Sequence, residues 1–238
     1  MNSSLRFLLL QVRNPNDPMR EHEILCFAEA LRCDSSQLEP LDLIRGDISD
    51  QHIHQNDVVL IGGAGDFSVA EGGDWLERAM DMMRRLHDQS MPTFASCWGF
   101  QGLARALGGE VVRDHHRAEV GTYELTLTEA GRDDPVFGSL GDTFPAQLGH
   151  EDIVDSLPAD AILLASSERT TNQAYRIADR PIYATQFHPE LNREHLLARL
   201  QQYPKYVESV AKKPYAEFVH DVRETPGTMS LLTRFLDA

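Results

Sequence analysis

Short apolar runs alternate along this chain with amphipathic helical patterns, and this alternation most limits the folds available to it. The apolar runs predict buried strands at residues 7–12, 38–43, 58–61, 91–96 and 181–187. Helices are predicted after Asp17-Pro18, over 75–86 and over 99–107. Strands that alternate with helices in this order form a parallel sheet with helices on both faces. The sequence therefore predicts an α/β protein.

Two parts of the chain depart from this alternation. Within residues 110–180, short alternating runs at 123–128, 162–166 and 174–177 predict antiparallel strands that extend or flank the main sheet. After residue 190 the pattern is helical again, with helices predicted at 193–202, 206–222 and 230–236. The first helix is predicted to bury one face, formed by Ile24, Leu25, Phe27, Ala28 and Leu31.

Reactive and flexible residues stand where three of the predicted strands end. Gly62 and Gly63 follow the strand at 58–61, Cys97 follows 91–96, and His188 follows 181–187. Ligands of parallel α/β sheets bind beyond the carboxyl ends of the strands. We therefore expect these residues to meet at one edge of the sheet.

The residue types at that edge are suited to nucleophilic chemistry. Cys97 stands at the start of a helix, where free N–H groups and the macrodipole favour a thiolate, and Gly99 lets the chain turn closely. Pro189 holds His188 extended, so that Glu190 can turn back to orient the imidazole. A thiol, a base and a carboxylate that orients the base are the parts of a catalytic triad.

These segments resemble a known family. Residues 97–101, Cys-Trp-Gly-Phe-Gln, and 188–190, His-Pro-Glu, are similar to the C-x-G-x-Q and H-P-E signatures of class I glutamine amidotransferases. The resemblance covers roughly residues 5–192 and is strongest to the glutaminase domain of GMP synthase and its stand-alone relatives. It implies an α/β, flavodoxin-like, doubly wound and mostly parallel sheet. The family domain would span 1–191, with a helical C-terminal extension, 192–238, packed on it.

The resemblance also implies roles for individual residues. Cys97, His188 and Glu190 would be catalytic. The backbone N–H groups of Gly63 and Trp98 would form the oxyanion hole. The substrate would be bound by Gly62, Gln101 and His150. The family's proline after the glycine pair is absent from residues 62–69, Gly-Gly-Ala-Gly-Asp-Phe-Ser-Val, which predicts a more mobile loop at the oxyanion hole.

The implied reaction is hydrolysis of glutamine through a Cys97 thioester, giving glutamate and ammonia. Because the chain carries no nucleotide-binding motif, the ammonia acceptor would lie on a synthetase partner. Two other functions stay open, a γ-glutamyl hydrolase or peptidase with the same triad and a non-catalytic regulatory protein. A small pocket around Gln101 favours glutamine, whereas an open cleft favours a larger γ-glutamyl substrate.

Composition excludes other classes of function. A net charge of −15 argues against a nucleic-acid partner. No apolar run is long enough for a membrane span, and residues 1–10 lack the features of a signal peptide. The presence of only 3 cysteines indicates a reducing compartment, so a cytoplasmic location is expected.

No cofactor and no metal are predicted. The histidine pairs His52/His54 and His115/His116 have no cysteine or carboxylate partner at ligand spacing, and we expect them on the surface. Cys26 and Cys33 are predicted to be inert, with Cys26 a small packing residue in the first helix.

Overall fold

The structure, a computed structural model, describes residues 5–46 and 48–238. In these residues the chain alternates between strands and helices up to its middle and is dominated by strands between residues 110 and 185. The strands are β1 (Phe7–Val12), β2 (Leu38–Asp42), β3 (Val58–Ala64), β4 (Thr93–Ser96), β5 (Glu110–Arg113), β6 (Glu119–Leu127), β7 (Thr143–His150), β8 (Asp152–Ser156), β9 (Ala161–Ser166), β10 (Ala174–Ile177) and β11 (Ile182–Thr185).

The helices follow the predicted positions closely in the first half of the chain. They are α1 (Met19–Leu31), α2 (Asp50–His54), α3 (Asp74–Asp88), α4 (Trp98–Ala106), α5 (Glu129–Asp133), α6 (Arg193–Gln202), α7 (Tyr215–Phe218) and α8 (Pro226–Asp237). Short 3-10 turns lie at Ser35–Gln37 and Gly138–Leu140, and a π-helical turn at Val207–Ala211.

The main sheet has nine strands in the order β2-β1-β3-β4-β11-β10-β9-β6-β7, and β5 pairs with β8 in a separate ribbon. Strands β2, β1, β3, β4 and β11 are parallel neighbours. Strands β10, β9, β6 and β7 continue the sheet in antiparallel pairs. The predicted α/β fold is confirmed, and so is the antiparallel continuation of its sheet.

Helices cover both faces of the sheet because side chains alternate along each strand. Leu8 and Leu10 of β1 belong to the apolar cluster that contains the buried residues of α3 and α4. Phe7 and Leu9 belong to the opposite cluster, which contains those of α1 and α8. A third cluster joins Cys26 of α1 to α6 and the segment that follows it.

Two local predictions are wrong. The helix predicted at 206–222 is interrupted: the π turn ends at Lys212 with φ 53°, and Pro214, which has no N–H to donate, precedes the short α7. Leu25, predicted on the buried face of α1, is 58% exposed. Cys26 takes the buried position next to it because the C-terminal segment packs on a second side of α1.

Residues that were not predicted to be strands form β5, β7 and β8. Among them, β7 pairs along its whole length with β6, and its last residue, His150, lies opposite Glu119. This hairpin brings the segment at 149–152 to the carboxyl edge of the parallel strands. No helix in the described part of the chain is long and apolar enough to cross a bilayer.

Candidate active site

Cys97 occupies a strained turn between β4 and α4. Its backbone has φ 52° and ψ −101°, a region that side chains other than glycine rarely adopt. The Cys97 N–H donates to the Thr185 carbonyl at 2.8 Å, which ties the turn to β11. The sulfur lies 3.8 Å from the Gly149 carbonyl oxygen. The strain therefore holds the thiol out of the helix and toward the sheet edge, as the sequence predicted.

Two glycines allow this turn to pack closely. A Cβ at Gly99 would lie 2.7 Å from the Ile61 carbonyl oxygen, so only glycine lets α4 begin against β3. A Cβ at Gly63 would lie 2.8 Å from His188 Cε1 and 3.7 Å from Cys97 Cβ. The β3 backbone thus passes directly beside the imidazole and the thiol.

The glycine pair lies inside β3, which is three residues longer at this end than predicted. The register of β1 against β3 shifts between Leu10 and Val12, so that Gln11 lies opposite both Gly62 and Gly63. Bulges of this kind occur next to active sites because they redirect a short stretch of backbone. A Cβ at Gly62 would meet the Glu23 carboxylate, which places Gly62 against α1.

His188 and Glu190 form a short, buried pair. His188 Nδ1 lies 2.7 Å from Glu190 Oε1, and the two residues are 3% and 0% exposed. Because the ionised carboxylate can only accept, Nδ1 carries a proton, and Nε2 is the nitrogen that can gain or lose one. The His188 N–H donates to the Gln147 carbonyl at 2.9 Å, which holds the turn after β11 against β7.

The charges in this pair stabilise each other. Burial of the His188 imidazole acts to lower its pKa, but the charges of Glu190 and Cys97 outweigh burial and raise the pKa to about 9. Burial of Glu190 acts to raise its pKa, but His188, and then Arg199, lower it to about 2. At neutral pH the pair is therefore an imidazolium beside a carboxylate.

Arg199 is a site residue that sequence reasoning missed. Its Nη1 lies 3.4 Å from Glu190 Oε1 and 3.3 Å from His188 Nδ1. Arg199 comes from α6 in the C-terminal region and is 7% exposed. Nothing in its local sequence marks it, because an arginine in the last turn of a helix is also typical of an ordinary C-terminus.

A small cleft opens above Cys97. The residues that line it come from the turn at Cys97, the β7–β8 turn, the segment after β3 and the C-terminal region. They are Ala64, Phe67, Ser68, Cys97, Trp98, Gln101, Arg113, Gly149, His150, Glu151, Asp152 and Tyr206. Tyr206, also missed from sequence, donates from its hydroxyl to the Gly65 carbonyl at 3.2 Å. The C-terminal segment thus covers one side of the candidate site.

Of the residues predicted to contact substrate, Gln101 and His150 line the cleft while Gly62 does not. Gln101 Nε2 donates to the Asp152 carbonyl at 3.0 Å and to Gln186 Oε1 at 3.1 Å. His150 contacts Glu119 through Nε2 and the Asp152 carbonyl through Nδ1, each at 3.1 Å. Both ring nitrogens of His150 are engaged, so the backbone beside it is the part left to meet a ligand. The substrate roles of all three stay predictions.

The structure brings the predicted triad and the residues of the predicted oxyanion hole to one place. Cys97, His188 and Glu190 come from turns at the carboxyl edge of β4 and β11. Gly63 flanks them on β3, and Trp98, the first residue of α4, lines the cleft. The arrangement places a thiol, an imidazole with a defined tautomer and the backbone of two further residues next to one another.

Comparison with known proteins identifies the family. The family Glutamine amidotransferase class-I matches residues 26–198. The chain therefore belongs to the class I glutamine amidotransferases. Within that family it is similar to one of the subunits of glutamine-hydrolysing GMP synthase.

Two relatives illustrate the extent of the similarity. The chain is 33% identical over 124 residues to the GMP synthase subunit of Methanothermobacter thermautotrophicus, a match that covers 52% of this chain and 64% of that protein, just under two thirds. The corresponding subunit of Sulfolobus acidocaldarius is 33% identical over 148 residues, covering 62% of this chain and 74% of the relative.

The fold is shared over nearly the whole chain with a solved structure of low sequence identity. A glutamine amidotransferase from Thermotoga maritima superposes with a TM-score of 0.76 at 21% identity. The superposition covers 98% of this chain and 96% of the other. The fold similarity therefore includes the C-terminal helices.

Proposed function

We propose that this chain is a glutaminase that hydrolyses the side-chain amide of glutamine to glutamate and ammonia. One observation carries the proposal: Cys97 stands on a strained elbow beside an imidazole whose Nδ1 is held at 2.7 Å by Glu190. The other residues of the site line a cleft above the thiol. In this proposal the backbone N–H groups of Gly63 and Trp98 are the donors to the oxyanion.

In the first half of the reaction, Cys97 attacks the side-chain amide carbon of glutamine as its thiolate, the thiol proton having passed to His188. A C–S bond forms, and the carbonyl oxygen becomes an oxyanion near the Gly63 and Trp98 N–H groups. Each such donor contributes roughly 3–4 kcal/mol to the transition state in comparable sites. The raised pKa of His188 keeps the imidazole protonated, so it can give its proton to the nitrogen as the C–N bond breaks. Ammonia leaves and a thioester remains.

In the second half, His188 acts as a base. It accepts a proton from water while the water oxygen bonds to the thioester carbon, and the C–S bond breaks to release glutamate. Glu190 keeps the proton on Nδ1 and balances the charge that develops on the ring. Arg199 in turn balances the buried carboxylate.

The size of the cleft favours glutamine over larger γ-glutamyl compounds. Its free volume is about 30 Å³, well below the range for sites that hold larger ligands. Tyr206 and Gln101 close two of its sides. A γ-glutamyl hydrolase needs additional room for the leaving group beyond the amide.

We further propose that the acceptor of ammonia lies on a separate synthetase. Relatives at 33% identity are named as one subunit of GMP synthase. Hydrolysis without an acceptor would waste glutamine, so the isolated chain is expected to turn over slowly until a partner binds. A turnover at or above about 10 s⁻¹, the median for enzymes, with no partner present would contradict this part of the proposal.

The test of the glutaminase is an assay of the purified chain with glutamine, measuring glutamate and ammonia. The same assay with γ-glutamyl peptides and amines tests the competing hydrolase. The expected result is release of both products from glutamine in equal amounts, with slower or no release from the larger substrates. An electrophilic glutamine analogue should add one adduct mass to Cys97.

Cys33→Ala is the matched control for Cys97→Ala, because Cys33 lies outside the cleft. Activity should be lost in the Cys97 variant and kept in the Cys33 variant. Faster hydrolysis of γ-glutamyl peptides than of glutamine would instead assign the second activity. A folded chain that neither hydrolyses any of these compounds nor reacts with the analogue would indicate the non-catalytic alternative.

A further inference from the structure

Two histidines and a cysteine meet outside the candidate active site, between α1 and α6. His22 and Cys26 are four residues apart and therefore lie on one side of α1. His195 stands in the first turn of α6. One ligand atom from each of the three lies within 4.8 Å of the others. None of these residues has a role in the proposed glutaminase chemistry.

The distances suit a tetrahedral metal ion. Cys26 Sγ lies 3.5 Å from His22 Nδ1. With Zn–N bonds near 2.0 Å and Zn–S bonds near 2.3 Å, two ligand atoms of a tetrahedral zinc site lie about 3.3–3.6 Å apart. The Cys26–His22 pair already has this separation. The rings of His22 and His195 lie edge to face with centroids 5.2 Å apart, so their side chains must rotate to shorten the remaining distances when an ion binds.

His195 is oriented for such a role by a carboxylate. Its Nε2 lies 3.5 Å from Glu29 Oε2. Its Nδ1 is buried and has no hydrogen-bond partner among the described residues. A histidine that binds metal through one nitrogen commonly donates from the other to a carboxylate. The orphaned Nδ1 is therefore the atom of His195 that is free to bind a metal.

We propose that His22, Cys26 and His195 form a binding site for a zinc-like divalent ion that joins α1 to the C-terminal helix α6. Two imidazoles and one thiolate are a ligand set that zinc favours, and water completes a four-coordinate ion. Cys26 binds as the thiolate, so its thiol proton is released to solvent when the metal enters.

The position of the site indicates a structural role. His195 is one helical turn before Arg199, whose guanidinium contacts Glu190. Apart from this site, α1 and α6 meet through the apolar cluster that contains Cys26 and Leu196. A metal that binds only the folded chain stabilises it and fixes α6 against α1.

The sequence contains a signal that could have found half of this site. The spacing His22-x-x-x-Cys26 places two ligands on one helical face, but His195 is distant in the chain. Of the two histidine pairs considered as metal ligands from the sequence, His54, His115 and His116 are exposed and His52 is half-buried. None of the four belongs to such a cluster in the described residues.

The test uses the full chain with the Cys97→Ala substitution, so that the triad cannot bind metal. The chelator-treated protein is titrated with Co²⁺ while its absorption spectrum is recorded, and Zn²⁺ is then added. We expect one Co²⁺ per chain, with a thiolate-to-cobalt band in the near ultraviolet and strong visible bands of a tetrahedral ion. Zn²⁺ should displace Co²⁺ and raise the unfolding temperature of the chain.

Matched variants assign the ligands. Cys26→Ser should abolish the thiolate band, whereas Cys33→Ser should keep it. His22→Gln and His195→Gln should abolish tetrahedral binding, whereas His54→Gln should keep it. Glu29→Gln should weaken binding by about tenfold, because it removes only the carboxylate that orients His195.

Each outcome decides the proposal. Absence of a thiolate band in the Cys97→Ala chain overturns it, as does a band that survives Cys26→Ser or disappears with Cys33→Ser. If Cys26→Ser does not fold, the two histidine variants serve in its place, because both side chains are partly exposed. Metal-free unfolding curves show which variants are folded before the titrations begin.

Discussion

The guanidinium of Arg199, on α6, lies 3.4 Å from the carboxylate of Glu190, in the turn between β11 and α6. Glu190 is fully buried, and a buried carboxylate without a compensating charge is costly. Arg199 therefore acts as a positioning residue: it stabilises the ionised form of Glu190, which in turn holds His188.

Replacing Arg199 is expected to change the pH profile of the glutaminase. In Arg199→Met the pKa of Glu190 loses a cause of its lowering, so the acid limb of kcat/KM should move to higher pH by on the order of one unit. Arg199→Lys should keep the acid limb close to its wild-type pH, because lysine retains the positive charge. Gln202→Ala, an exposed change on the same helix, is the control. An unchanged acid limb in Arg199→Met would rule out this electrostatic role.

Substitutions of different triad residues should reduce the glutaminase activity to different extents. Cys97→Ala removes the atom that forms the thioester, so turnover should fall to background. Glu190→Gln keeps an oxygen near His188 Nδ1 but removes the charge, and we expect a loss of about 10²–10⁴-fold with a measurable remainder. Steady-state assays of both variants, with circular dichroism as the check of folding, measure this order. Cys97→Ala retaining most of the activity would refute the covalent mechanism.

Gly63 should tolerate no side chain. The Cβ of Gly63→Ala would lie 2.8 Å from His188 Cε1, so the imidazole or the β3 backbone must move. A displacement of about 1 Å in a catalytic group can cost around a hundredfold in rate, and a loss of this size in kcat is expected. Gly227→Ala on α8, where the added Cβ would lie 3.6 Å from its nearest neighbour, is the matched control. Equal activities of the two variants would contradict the proposed close approach.

The buried pair should make the stability of the protein depend on pH in a defined window. The folded pKa of His188 is raised from 6.5 to about 9. Its contribution to the free energy of unfolding is therefore complete below pH 6.5 and is lost as pH rises through 9. The folded pKa of Glu190 is lowered from 4.5 to about 2, so its contribution is complete above pH 4.5 and is lost as pH falls through 2.

Urea unfolding of the wild type and of His188→Asn at several pH values isolates this effect. The difference in unfolding free energy between them should be largest near pH 4.5–6.5 and should shrink toward pH 9. Subtracting the variant removes the contributions of other titrating groups. A difference that grows from pH 6.5 to 9 would have the wrong sign for an imidazolium stabilised by Glu190.

The three cysteines should react at different rates with a mild alkylating reagent. Burial raises the pKa of Cys26 to about 12 and also raises the pKa of Cys33, so both stay protonated at neutral pH. Cys97 lines the cleft beside His188 and is expected to be modified first. Mass spectrometry of peptides after brief treatment measures the order. Equal labelling of all three in the folded chain would contradict it.

Local patterns determined much of the fold and the centre of the site. The order of apolar runs and helical segments predicted the parallel half of the sheet, and α6 has the bounds that were expected, Arg193–Gln202. Cys97, His188 and Glu190 could be named because each belongs to a short local motif, at residues 97–101 or 188–190, that follows a predicted strand. The strained elbow at Cys97 likewise follows from a strand and a helix that meet without a loop.

Long-range packing decided the rest. Arg199 and Tyr206 carry no local pattern that sets them apart, and His195, the third ligand of the proposed metal site, is far along the chain from His22 and Cys26. Leu25 is exposed instead of buried, and Cys26 beside it is buried as expected, because the C-terminal segment packs on this second side of α1. Secondary-structure propensity and hydrophobic periodicity depend on residues that are neighbours along the chain. These contacts depend instead on how separate helices pack on the same sheet.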